Sequence, residues 1–380
     1  MSGLDFPYRQ CPLKHFVRTD GWLPMCRRRL QALRQGRRPK DVRRLRYFTF
    51  CAVSAIDVLM LDVARVIRPS KDGQFDTVFF FTRSDEAVLE TRQSIPGATG
   101  FPDEFVETVL LDDLDEHITD ILPEIPAERP DERHVRAEIR RLMIQRDFRR
   151  SFPFDVINLD LEGYLFKPSE RIPGRLIRAI RKVFEWQQRP LVVGHRQEHL
   201  DGFGLMFTTK IGPERLGDDF GAMLRCTLEE NIASDHSLRP ILATRTGVDQ
   251  VATLIGTDFE AFFKLAVPKI ISKALIETDW YVDPTPGIII YEFERRPTTQ
   301  RADDYKMLHL VMDVRRQNPP RDSRAPGYTP STTLTAYRQV VRQLFERPQT
   351  VVAMDTVDVA AMEKSLALIE SRRKKYASES

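Results

Sequence analysis

The sequence predicts an α/β fold, a doubly wound and mostly parallel sheet that finishes in antiparallel strands, and three observations point to it. Between Tyr47 and Ile211, apolar runs of strand length alternate with amphipathic runs of helix length. One of those runs, FDVINLDLEGYLF from Phe154 to Phe166, is nearly continuously apolar, as a strand buried on both faces of a parallel sheet is. After Leu275 the pattern changes. TDWYVD and GIIIYEFER flank PTPG in the manner of a hairpin, and YKMLHLVMDVRR, Tyr305 to Arg316, adds a further strand.

In chain order, residues 22 to 46 predict a short helix through Gln35 with an arginine-rich polar face, broken at Gly36 and Pro39. Tyr47 to Ile67 starts as a strand and continues as a helix, with Ser54 as the expected N-cap. FDTVFFFT, Phe75 to Thr82, is a second strand, and SDEAVLETRQSI is a helix capped by Ser84 with Asp85 and Glu86 in its first turn. FVETVLL, Phe105 to Leu111, reads as a third strand, and the amphipathic run Val135 to Arg150 as a helix. IPGRLIRAIRKVFEWQ spaces its apolar residues as a crossover helix with Pro173 in its first turn, and GLMFTTKI, Gly204 to Ile211, is the next buried strand. Pro213 to Leu275 is helical in pattern, residues 317 to 333 form a Pro-rich linker, and Met354 to Tyr376 is a helix. The expected division is a basic arm over 1–46, an α/β domain over 47–316, and a linker with C-terminal helices over 317–380.

With 380 residues, 42% hydrophobic and 30% charged, the chain can bury one large core or two ordinary ones. No apolar run reaches the roughly 18 to 20 residues of a membrane span, and MSGLDFPYRQ lacks the pattern of a signal peptide. The expectation is a cytoplasmic protein with no membrane partner. Cys11, Cys26, Cys51 and Cys226 are scattered, as reduced thiols are. The net charge of +3 hides an uneven distribution, because residues 1–46 alone carry +10. Such an arm suits nucleic acid, whose condensed counterions Lys and Arg release. It equally suits a clasp onto the acidic segment Asp103 to Glu132.

The apolar strand at Phe154 also carries Asp155, Asn158, Asp160 and Glu162, and carboxylates near a strand's C-terminal end mark the edge where open α/β sheets bind ligands. Asp160-Leu161-Glu162-Gly163-Tyr164 resembles the fourth-strand end of class I S-adenosylmethionine-dependent methyltransferases, keeping the acid and the aromatic but not the prolines. It is similar, more loosely, to the Asp-Pro-Phe-Gly form of certain RNA methyltransferases. The resemblance spans about Tyr47 to Arg316 and implies a methyltransferase-like sheet. It implies that Asp160, with Glu162 and Tyr164, receives an exocyclic amine of nucleic acid, the carboxylate accepting its hydrogen bond and the ring stacking on the base. It further implies S-adenosylmethionine as cofactor, held by Ser54, Asp57, Thr82, Asp85 and Asp112. Two departures stand out: FTFCAVSAID has no glycine where the family's first strand turns, and Thr82 stands where an acid is expected, with Asp85 three residues later. These departures motivate the alternative of a catalytically inactive subunit that binds nucleic acid or a protein partner, as in a bacterial defence or modification complex. On residues alone, Asp155 and Asp160 could also cap neighbouring helices or pair with arginines of the arm.

His195 to His199 spells H-x-x-E-H, which on a helix would place two histidines for a metal, but the flanking Pro190, Gly194, Gly202 and Gly204 argue against a helix there. No phosphate loop and no G-x-S-x-G elbow occurs. The isolated His15, His117, His134, His236 and His309 are expected to be structural or exposed.

Overall fold

Nine strands form one mixed sheet in the computed structural model, which describes residues 12–35, 42–50, 54–111, 130–161, 165, 174–193, 196–211, 218–246, 251, 253–254, 258–285, 287–295, 305–317, 342 and 350–379. The strands are β1 (Tyr47–Phe50), β2 (Val78–Thr82), β3 (Thr99–Pro102), β4 (Val156–Asp160), β7 (Gly202–Lys210), β8 (Trp280–Val282), β9 (Ile288–Arg295), β10 (Tyr305–Arg316) and β11 (Thr350–Val352). Their order is β3-β2-β1-β4-β7-β10-β9-β11, with β8 beside β10. β3, β2, β1, β4 and β7 are parallel; β10 runs antiparallel between β7 and β9, and β9 pairs parallel with β11. This is a Rossmann-like α/β fold with the antiparallel finish that the sequence predicts.

The alternation of strand side chains creates two cores. Phe48, Phe79, Phe81, Ile157 and Leu159 point to one face and pack with α5 (Phe105–Val109), α7 (Arg175–Trp186) and α10 (Phe259–Ile276). Tyr47, Val78, Phe80 and Val156 point to the other, beneath α2 (Leu23–Arg34), α3 (Ile56–Val63) and α11 (Val359–Glu379). The basic arm therefore covers the sheet: α1 (Pro12–Val17), a π-helical turn (Arg18–Trp22) and α2 follow one another across its second face. At the other end of the chain, α11 packs on α3, where the Tyr376 hydroxyl donates to Asp62 at 2.9 Å.

The remaining helices are α4 (Asp85–Ser94), α6 (Pro130–Arg150), α8 (Asp218–Ser234) and α9 (Leu238–Thr246). α4 starts as expected, with Ser84 Oγ accepting the Ala87 N–H at 3.2 Å. α3 does not: its N-cap is Ala55 at φ +45°, and Ser54 makes no capping bond. The segment Phe105 to Leu111 is α5 rather than the third strand, which is Thr99–Pro102. In a strand Phe105, Glu107 and Val109 would share one face and bury the carboxylate. The helix sends Phe105 and Val109 into the core and leaves Glu107 to take both terminal nitrogens of Arg175 at 2.7 Å. TDWYVD and GIIIYEFER are not a hairpin either. β8 and β9 pair one after the other with β10, Val282 opposite Val314 and Ile290 opposite Leu310, so the chain bends out through Gly287 at φ +79° and resumes its direction.

At the amino end of β4, buried Asp155 accepts from both terminal nitrogens of Arg43, at 2.5 and 2.7 Å, and from the Arg46 N–H at 2.8 Å. Removing one partner of such a pair strands the other, so Asp155→Ala should lower unfolding free energy by about 3–5 kcal/mol in urea titrations. A loss under about 1 kcal/mol would show that the pair behaves as a surface contact.

Candidate functional site

The carboxyl edge of the sheet is where the sequence places the site, and its register brings one row of polar side chains together. Asp160 of β4 lies opposite Thr208 of β7, Thr208 opposite His309 of β10, and His309 opposite Tyr291 of β9. Four neighbouring strands thus present polar groups in line on the face that the amino-terminal helices cover. Those helices answer with a matching row. Lys14 Nζ stands 2.7 Å from Asp160 Oδ2, Trp22 Nε1 donates to His309 Nε2 at 2.6 Å, and the Tyr291 hydroxyl donates to Asp20 at 2.9 Å.

The tautomer of His309 follows from its neighbours. An indole N–H can only donate, so Nε2 is the acceptor, and the proton of the neutral ring sits on Nδ1, 2.7 Å from Thr208 Oγ1, to which it donates. Burial holds the imidazole neutral, lowering its pKa to about 3, with Lys14 and Arg18 adding to the effect against the pull of Asp160. Burial opposes ionisation of Asp160 too. There the charge and hydrogen bond of Lys14, reinforced by Arg18, win and hold the carboxyl below its ordinary range. Asp160 Oδ1 remains buried with no hydrogen-bond partner among the described residues. His15, also buried, is lowered to about 4 by burial and by Arg18.

Two residues before Asp160 on the same face, Asn158 opens a second buried network. Its amide donates to the Tyr47 hydroxyl at 3.0 Å and the Thr49 hydroxyl at 3.3 Å, and both hydroxyls donate to Asp57 Oδ2, at 3.0 and 2.8 Å. Asp57 is thereby committed to joining α3 to β1. Ser54 is buried after β1, and Thr82 is half-buried at the end of β2. Asp85 pairs with Arg140 at the surface. Ser54, Thr82 and Asp160 all lie at the carboxyl edge. Glu162, Tyr164 and Asp112 lie outside the described residues.

Of the carboxylates expected to hold S-adenosylmethionine, Asp57 is engaged by two hydroxyls and Asp85 by a guanidinium at the surface. The H-x-x-E-H string is extended where it is described: β6 (Arg196–Glu198) pairs with β5 (Leu191–Val193), which removes the helix a paired-histidine metal site requires. Among the described residues no group of His, Cys, Asp and Glu is placed to hold a metal, and no helix is long and apolar enough to cross a membrane. No family model, curated protein or solved structure matches this chain.

Sequence reasoning finds Asp160 but not Lys14, Trp22, Thr208 or His309. The signal for the arm was the apolar set Leu13, Val17, Trp22, Met25 and Cys26, all buried, which reads as a helix face once the run is begun at Pro12.

The two buried histidines set a pH dependence. Their folded pKa values lie below the ordinary 6.5, so as pH falls below 6.5 the unfolded chain takes up protons that the folded chain refuses. Stability should therefore decline steadily from pH 6.5 toward pH 4, by urea midpoint. His309→Gln should flatten that decline; a slope identical to the unsubstituted protein would remove His309 as a source.

Proposed function

We propose that this chain is a nucleic-acid-binding protein on a methyltransferase-like sheet whose carboxyl edge holds the amino-terminal helices in place rather than transferring methyl groups. The observation that carries this reading is the Lys14–Asp160 pair. Both side chains are about nine-tenths buried, so the carboxylate best matched to a catalytic role is already neutralised by a residue of the same chain. The engagement of Asp57 by Tyr47 and Thr49 points the same way. The mostly parallel sheet with its antiparallel finish supports the methyltransferase-like scaffold. Support for nucleic acid is the set of arginines that remain exposed, among them Arg27, Arg34, Arg65 and Arg68, since cations facing solvent are the ones that can displace counterions from phosphates.

A second reading, methyl transfer from S-adenosylmethionine to nucleic acid, is favoured by one observation. Asp160 Oδ1 lacks a partner and has the chemistry to accept a hydrogen bond from an amine once Lys14 is displaced.

Calorimetry with S-adenosylmethionine separates the two: the binding reading expects no heat at millimolar cofactor, and saturable heat together with transfer abolished by Asp160→Ala would replace it with the second. Stability gives an independent check. Lys14→Met alone should cost about 3–5 kcal/mol, because it leaves a buried carboxylate unpaired, whereas Lys14→Met with Asp160→Leu should return close to the starting stability and bind nucleic acid undiminished. A double variant that folds but no longer binds would place Asp160 in the binding site.

A further inference from the structure

We propose that nucleic acid binds by its phosphates along a basic groove at the amino edge of the sheet, the edge opposite Asp160. This inference rests on the nucleic-acid reading above and gives it a location. Two clefts, of about 540 and 560 Å³, adjoin there and share Arg65 and Arg68. The first runs from Arg34, at the end of α2, past Arg43 and Arg44, which lead into β1; the second continues to Arg372 and Lys375 of α11.

Three arginines of this groove are available to a ligand, beside the exposed Lys71. Arg34, Arg65 and Arg68 are exposed and have no carboxylate within ion-pair distance among the described residues. Arg43 lines the first cleft but is held by Asp155. Two acids line the second cleft: Asp62, which takes the Tyr376 hydroxyl and Arg372, and Asp72.

Arg65 supplies an independent observation. α3 ends in a Schellman turn, with the Val66 N–H on the Leu61 carbonyl at 2.8 Å and the Arg65 N–H on the Asp62 carbonyl at 2.8 Å. The residue at the left-handed position of such a turn is ordinarily glycine. Here it is Arg65, at φ +59°, with its side chain exposed. An arginine thus stands at a position that favours glycine, and it lines both clefts where they adjoin.

The shape and lining select the ligand. A groove follows a strand of phosphates, whereas a lipid surface is flat. Guanidinium forks match phosphate oxygens two at a time. The aromatic ring in the lining, Tyr376, is buried with its hydroxyl on Asp62 and offers no face for stacking, so the contact tracks the backbone without reading bases.

Fluorescence anisotropy with the full chain tests this, using a labelled mixed-sequence DNA duplex and a labelled mixed-sequence RNA strand across a salt series. Arg34→Glu with Arg68→Glu should weaken binding at least about tenfold and make the salt dependence shallower. Arg65→Gly should weaken binding several fold while the melting temperature stays equal or rises, a combination that a merely structural role for Arg65 would not give. Arg140→Glu, away from the groove, should bind within about twofold of the unsubstituted chain. Salt-dependent binding that survives the groove substitutions would overturn the groove and leave the nucleic-acid reading standing. Absence of binding to either probe at low salt would overturn both, as would capture by phosphatidylserine vesicles or polyglutamate in place of nucleic acid.

Discussion

A carboxylate in the middle of a buried sheet face has to be paired, and the pairing of Asp160 by Lys14 is the constraint around which this molecule is arranged. Asp160 belongs to a row, with Thr208, His309 and Tyr291, that crosses four strands. Two strand spacings separate Asp160 from His309, about 10 Å. The eight residues from Lys14 to Trp22 advance a helix by about 12 Å. One helix laid across the strands can therefore satisfy both ends of the row, and the π-helical turn Arg18–Trp22 widens it where Asp20 and Trp22 meet Tyr291 and His309. The arm is consequently an integral layer of the fold, joined to it by polar contacts that apolar packing alone would not place in register.

That arrangement divides the positive charge of the arm. Lys14, Arg18 and Arg29 are buried: Lys14 meets Asp160, Arg18 lies over the Trp22 ring at 5.5 Å, and Arg29 reaches Asp313 and the Gly202 carbonyl. Arg46 is spread over Phe79 at 4.7 Å and bonded to the Pro153 carbonyl. These cations hold the arm to the sheet and are lost to any external partner. Composition counts them all alike, which is why a net charge overstates what a surface can offer.

Much of the sheet was legible in the sequence, because strands buried on both faces announce themselves as apolar runs: β1, β2, β4 and β10 fall within the segments read as strands, and β7 begins two residues before its own. What failed were places where pairing partners decide. Phe105 to Leu111 has strand-like composition, yet only the helix separates Glu107 from Phe105 and Val109. The hairpin reading of TDWYVD and GIIIYEFER assumed that neighbours in sequence pair, whereas β10 takes both. Asp160 was legible as a charge in an apolar strand. Lys14 was not, since nothing local distinguishes it from other cations of the arm, and His309 was read as an isolated residue although its partners Trp22 and Thr208 lie far away in sequence.

The two ends of α3 show how differently the edges of the sheet are used. Each carries a non-glycine residue in the left-handed region, Ala55 at φ +45° on the carboxyl edge and Arg65 at φ +59° on the amino edge. Elsewhere positive φ is taken by glycine at Gly73, Gly97, Gly174 and Gly287, and by Asp279 at φ +63°. The Ala55 methyl is buried in the second core, so its strain is offset by packing beneath the helices that close that edge. Arg65 is exposed, and its side chain lines the two clefts of that edge. What distinguishes it from a glycine is a charge in a groove that already holds others, and that charge is what the proposed phosphate contact uses.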